Sequence, residues 1–101
     1  MTSDKHYMLL AESIRMFNAL GERHNIGDDP RWITGMIRHH LPILMQRVKT
    51  SEDRDLVESK LSKPAVRVID MYVKSIKYSG RDVSELTKNL ARCGLISIQT
   101  D

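Results

Sequence analysis

The chain has 101 residues, with 16 Lys and Arg against 13 Asp and Glu, and a formal net charge of +3. That length fits one domain, 1–101, with a modest core. A single cysteine excludes an intrachain disulfide framework and any zinc site built on several thiolates. No run approaches the roughly 18 apolar residues of a membrane span, and Met1 to Lys5 opens no signal peptide, so a soluble cytoplasmic domain without membrane contact is expected.

Caps and prolines divide the chain into five helical stretches, so the fold class is all-α. The first is expected over about 5–23, capped by Ser3 or Asp4, with Tyr7, Leu10, Ile14 and Phe17 at helical spacing and Leu9, Met16 and Leu20 widening the apolar face. Asn25 and Gly27 mark the following turn. Asp28, Asp29 and Pro30 then open a second helix, because Asp29 can accept orphan N–H groups and proline at the first helical position loses a donor that has no partner there. Ile33, Ile37, Leu41, Leu44 and Val48 keep one face apolar. Pro42 falls inside that run and cannot donate to the Arg38 carbonyl, so the helix is expected to be kinked or split near His39 to Leu41.

Thr50 to Asp53 open a short third helix with acids in its first turn, anchored by Leu56, Val57 and Leu61. Ser62 caps a fourth, with Pro64 in its first turn and Val66, Ile69, Val73 and Ile76 as the core stripe, Met71 and Tyr72 beside it; Gly80 ends it. Asp82 and Glu85 form an acidic variant of the capping box for a fifth helix that aligns Val83, Leu86 and Leu90 and stops at Gly94. Leu95, Ile96 and Ile98 make residues 95–101 a short apolar tail. Five aromatic residues and six methionines make the core aliphatic and Met-rich, with Met8, Met16, Met36, Met45 and Met71 as filling.

The charge is unevenly distributed. Residues 1–58 carry eight bases and nine acids, whereas residues 59–92 carry Lys60, Lys63, Arg67, Lys74, Lys77, Arg81, Lys88 and Arg92 against three acids, a balance of +5. Lys63, Arg67, Lys74 and Lys77 fall on one side of the fourth helix, away from its apolar stripe. A basic face of this kind suits phosphate contacts, each of which releases a condensed counterion; the alternative is a merely solvated face. Tyr72 and Tyr78 are the aromatic candidates for stacking on a single strand, and Tyr72 is expected to face the core.

Catalytic chemistry has little support in the sequence. Arg38, His39 and His40 form the most conspicuous polar cluster, but adjacent helical histidines diverge by roughly 100° and chelate one ion poorly. A half-buried histidine bonding the carbonyl freed by Pro42 is the expected use, and an exposed one adds pH-dependent charge. Cys93 stands at a helix C-terminus, where the dipole disfavours a thiolate. No Gly-rich phosphate loop, no G-x-S-x-G and no H-E-x-x-H occurs, so no enzyme, metal, cofactor or small-molecule substrate is expected. Trp32 is either a core anchor or an interface hot spot.

The order Ile33-Thr34, Glu58-Ser59-Lys60-Leu61-Ser62, Val66-Arg67-Val68 and Lys88-Asn89-Leu90-Ala91-Arg92 resembles the helical core of the pneumovirus transcription antiterminator, itself related in fold to the C-terminal domain of the filovirus transcription activator. The resemblance spans roughly residues 7–93 and rests on helix order and loop lengths, with Ser59-Lys60-Leu61-Ser62 as its strongest literal piece. It implies a core that binds RNA and the polymerase phosphoprotein, with Arg67 on the phosphoprotein side and Arg92 matching one arginine of an RNA-binding Lys-Arg pair. Ala91 stands where that lysine belongs, and the family's zinc finger and tetramerising helix have no counterpart.

Together these observations lead to a small non-catalytic regulatory protein of viral or mobile-element type, acting in the cytoplasm, the host's if viral. It is expected to meet RNA or a nucleoprotein complex through the eight bases of residues 59–92. The rival expectation is a protein–protein inhibitor or adaptor, or a homodimer, using Trp32, Arg38, His39, His40 and the apolar tail.

Overall fold

A computed structural model describes residues 2–95, and among them the chain forms a single all-α domain of five helices. These are α1 (Thr2–Asn25), α2 (Pro30–Arg47), α3 (Ser51–Lys60), α4 (Lys63–Tyr78) and α5 (Ser84–Arg92). Leu95 is buried, while Ile96 and Ile98 of the expected tail lie outside the described residues.

Helix α1 is the spine. It starts earlier than its capping signals suggest, taking Ser3 and Asp4 into the helix itself. It ends in a Schellman motif: the Asp28 N–H bonds the Arg23 carbonyl at 3.0 Å and the Gly27 N–H bonds that of His24 at 3.1 Å, with Gly27 in the left-handed region. Leu10, Ile14, Phe17 and Leu20 are buried, as the helical spacing predicts, but Tyr7 is 55% exposed because the apolar stripe closes only from Leu10 onward.

The Asp29 carboxylate accepts from the Arg31 N–H at 3.0 Å and starts α2. This helix then runs through Pro42 without being split. Arg38 and Pro42 are both exposed, so the carbonyl deprived of its donor is on the side where water can reach it. The opposite side buries Ile33, Ile37, Leu41 and Leu44, which hold the helix against α1 on both sides of the proline.

Helix α4 crosses α1 at Gly21. A Cβ built there would stand 2.5 Å from the Ala65 nitrogen and 2.7 Å from the Pro64 carbonyl carbon, so only glycine admits this approach. Asn18, one turn earlier, fixes the α3–α4 corner: its amide donates to the Lys60 carbonyl at 3.1 Å and its oxygen accepts from the Ser62 N–H at 2.8 Å. The crossing shifts the core stripe of α4. Ala65, Val68, Ile69 and Val73 are buried, whereas the expected Val66 and Ile76 are half-buried and Met71 is exposed. Of the other methionines, Met45 is buried, Met16 and Met36 pack at the core edge and Met8 faces solvent.

Helix α5 closes the far end. The capping box expected from Asp82 and Glu85 does not form; Asp82 instead takes the Ser84 N–H and hydroxyl, and Val83 stands at the cap position. Its C-terminus is a second Schellman motif, with the Leu95 N–H on the Leu90 carbonyl at 3.0 Å.

Gly21 and Gly35 give opposite outcomes on substitution. Gly21→Ala forces α1 and α4 apart and is expected to destabilise by about 1–3 kcal/mol. Gly35 is an exposed residue inside α2 with nothing within 4 Å of a built Cβ, so Gly35→Ala is expected to stabilise by about 0.5–1 kcal/mol. Thermal unfolding followed by circular dichroism reads both, at roughly 4–8 °C per kcal/mol for a domain of this size.

Candidate nucleic-acid interface

The eight bases of residues 59–92 are all exposed, but they do not form one surface. Lys63, Arg67, Lys74 and Lys77 make a stripe along the solvent face of α4, with Asp70 in the same row. Asp70 pairs with Lys74 at 3.0 Å, both side chains at least half-exposed. Among the described residues, Lys63, Arg67 and Lys77 have no carboxylate partner. Lys60, in the last turn of α3, stands apart beside a groove of about 210 Å³ between α1 and α3, which Tyr7 and Leu56 also line.

Helix α5 presents its charges elsewhere. Its C-terminus is docked on the end of α2 and on α3, where a Cβ at Gly94 would lie 2.7 Å from Glu58 Cγ. Arg92 serves this joint: its guanidinium donates to the Val48 carbonyl at 3.1 Å and the Met45 carbonyl at 3.3 Å, and its Nε to the Asn89 side chain. The Val48 carbonyl lies just past the end of α2, the Met45 carbonyl also accepts from the Val48 N–H at 3.4 Å, and a guanidinium fork suits the pair. Arg92 is therefore a structural residue, which the match to a family RNA-binding arginine did not anticipate. Beside it Cys93 is fully buried, and burial pushes its thiol up despite the opposing charge of Arg92.

The set Trp32, Arg38, His39 and His40 also divides. Trp32 is 46% exposed and so is no core anchor. It shares a face of α2 with Met36, His39 and Ile43, at spacings of four, three and four residues. His39 and His40 meet edge to face with centroids 4.8 Å apart, and neither ring bonds the Arg38 carbonyl among the described residues. His40 is half-buried, and desolvation, then the charges of His39 and Arg47, lower its pKa against a smaller pull from Glu12. Arg38 projects to the other flank of α2, toward α4.

That flank is shared with Arg81. The two arginines line a groove of about 420 Å³ between α2 and α4, together with Thr34, Ser75 and Ser79. Tyr72 and Ile76 also face it, and no carboxylate does. Gly80, at φ 90°, makes the turn that brings Arg81 back beside the end of α4. This pairing unites residues from the two separate sets read off the sequence, which carries no local signal for it.

One polar cluster has no counterpart in the sequence reading. Asp53 is buried, and its Oδ2 accepts from His6 Nε2 at 2.8 Å, from the Lys49 N–H at 2.9 Å and from the Thr50 N–H at 3.1 Å. Thr50 Oγ1 accepts from the Asp53 N–H in return, completing a capping box that also ties α1 to α3. Among the described residues, no group of three or more His, Cys, Asp or Glu is arranged to hold a metal, and no helix is long and apolar enough to cross a membrane.

Burial works to raise the Asp53 pKa, but the Lys49 N–H, the His6 ring and the Thr50 N–H outweigh it and hold the carboxyl below its usual range. A lowered folded-state pKa stabilises at pH above the unfolded value, and that contribution is lost as the pH falls below about 4. Asp53→Asn is expected to lose about 1–3 kcal/mol at neutral pH and to flatten the acid limb of stability, measured by urea unfolding across pH. Arg92→Ala is expected to cost about 1–2 kcal/mol in the same assay, and Lys88→Ala less than about 0.5 kcal/mol.

No protein-family model, curated protein or solved structure matches the chain, so its function has to be argued from its own residues.

Proposed function

We propose that this is a small non-catalytic regulatory protein, of viral or mobile-element type and acting in the cytoplasm, that docks on RNA or an RNA-bearing nucleoprotein complex through the solvent face of α4. The observation that carries the reading is the row Lys63, Arg67, Lys74 and Lys77, interrupted by a single acid that pairs with Lys74. The row follows one helix, its bases about one turn apart except between Arg67 and Lys74, where Asp70 fills the intervening turn. Each base that meets a phosphate releases counterion, and that electrostatic gain needs no base-specific geometry. The resemblance to the pneumovirus antiterminator core implies a phosphoprotein contact for Arg67 and an RNA contact for Arg92, so it does not itself support RNA docking by the α4 row; Arg92, engaged with α2, leaves the binding set. Lys88 and Lys60 lie off the row and contribute at most to its rim.

A second reading, a face for a protein partner or a second copy of the chain, draws on the exposed Trp32 and the Met36, His39 and Ile43 positions beside it. Arg38 faces away from that surface and does not belong to it.

Titration of a labelled RNA at two salt concentrations separates the readings. Docking through α4 predicts about micromolar affinity at low salt, falling linearly in logarithm with log salt. Arg67→Glu with Lys77→Glu is expected to abolish it while helical circular dichroism is retained, and Trp32→Ala to leave it unchanged. No binding at low salt overturns the proposal; a sedimentation mass above that of one chain, lost in Trp32→Ala, favours the second reading.

A further inference from the structure

The groove between α2 and α4 has a composition that the α4 row alone does not explain. Two guanidiniums, Arg38 from α2 and Arg81 from the turn after α4, line it without a carboxylate in its walls. Among the described residues neither is in an ion pair. The C-terminal end of α4 lies here, and its dipole would by itself repel an anion. That end is blunted: the Ser79 N–H donates to the Ser75 and Ile76 carbonyls, the Gly80 N–H to that of Lys77, and the Ser79 hydroxyl to that of Ile76 again. What remains is a recess with two planar, doubly donating cations, the geometry that phosphate recognition uses.

Tyr78 connects this recess to the basic row. It is 89% exposed, the most open of the large apolar side chains among the described residues. On the helix surface its neighbours are Lys74, four residues back, and Ser75, three back. Lys74 belongs to the row and Ser75 to the groove wall, so Tyr78 forms the ridge between them. Met71, 48% exposed, continues that ridge one step toward Arg67.

Resting on the proposed function, we infer that the nucleic acid taken by this protein is single-stranded. One phosphate is held in the α2–α4 groove by Arg38 and Arg81, a neighbouring base stacks on Tyr78, and the backbone continues along the α4 row. The open groove of about 420 Å³ has room for one nucleotide's phosphate and sugar; a duplex can offer a phosphate to it as well, but its bases are paired and turned away from the ring. A single strand can splay a base onto an aromatic face, and every base has a face to stack.

The test compares three labelled probes on the full chain: oligouridine, an RNA hairpin duplex, and inorganic polyphosphate, which has the charge without bases. Oligouridine is expected to bind about tenfold or more tighter than the duplex, the gain of one stacked base. Tyr78→Ala is expected to remove that advantage and to leave polyphosphate binding unchanged, while Tyr78→Trp restores it. Arg38→Gln and Arg81→Gln are each expected to lower the salt slope for oligouridine by about 0.7, the value for one phosphate of a single strand. Equal affinity for oligouridine and duplex, or a Tyr78→Ala variant with unchanged oligouridine binding, overturns the inference while leaving docking through α4 intact. Failure of all three probes at low salt removes the α4 docking itself. Because Tyr78, Arg38 and Arg81 are exposed, their variants are expected to keep the wild-type circular dichroism, so a lost affinity reports binding rather than folding.

Discussion

The rest of the domain depends on the approach of α1 to the first turn of α4. At Gly21 the two backbones come so close that no side chain fits between them, and Asn18 locks the preceding corner through the Lys60 carbonyl and the Ser62 N–H. Close approach without a side chain maximises dispersion contacts along the flanking residues, which are Phe17 and Leu20 on one helix and Ala65, Val68 and Ile69 on the other. It also fixes the rotation of α4 about its own axis. With Ala65 turned inward, Lys63, Arg67, Lys74 and Lys77 are turned outward as a set. The exposed basic row is a geometric consequence of a buried glycine on a different helix.

The cations of this chain fall into two populations, and net charge does not distinguish them. Arg47 reaches from α2 to α1, where it bonds the Leu9 carbonyl and the buried Ser13 hydroxyl at 2.8 Å each. Arg92 binds the end of α2 in the same way, through carbonyls. Both act as many-armed hydrogen-bond donors that join one helix to another, a use for which a guanidinium is suited and an ammonium less so. The second population is spent on nothing within the chain: Lys63, Arg67 and Lys77 on α4, Arg38 and Arg81 in the groove. This second population can meet an external anion without first giving up an internal bond, and so, among the described residues, can Arg31, Lys60 and Lys88, which lie off the row.

That division explains what could be read from the sequence. The five helices were legible because their boundaries are written locally, in Asp29-Pro30, in Thr50 with Asp53, in Ser62 with Pro64 and in the glycines of the turns. The α4 row was legible for the same reason, since helical spacing alone aligns its members. Tyr7, Val66 and Ile76 deviated because burial depends on where a neighbour lands, and periodicity locates a face only to within about one residue's rotation. Pro42 failed to split α2 because packing on both sides of it outweighed the loss of one bond. The groove shared by Arg38 and Arg81, the reach of Arg92 to α2 and the bond from His6 to Asp53 bring together residues more than forty positions apart. No local pattern encodes such pairings.

One local rule is broken where the row begins. The positive end of a helix dipole favours acids, and α3 obeys, with Glu52 and Asp53 in its first turn and Lys60 in its last. Helix α4 does the reverse: its first turn carries Lys63 and no acid, its cap is the neutral Ser62, and Arg67 follows one turn later. The charge of Lys63 costs about 0.3–1 kcal/mol at low ionic strength, while Arg67 lies beyond the turn over which the dipole acts. A glutamate at position 63 would relieve that repulsion and would not disturb the Gly21 crossing, because Lys63 is exposed and has no partner among the described residues. A departure from local consistency at an exposed site, with no compensating contact inside the fold, is the pattern expected where charge is retained for an external ligand. The unfavourable end of α4 is thus consistent with the proposed docking of a polyanion on this helix.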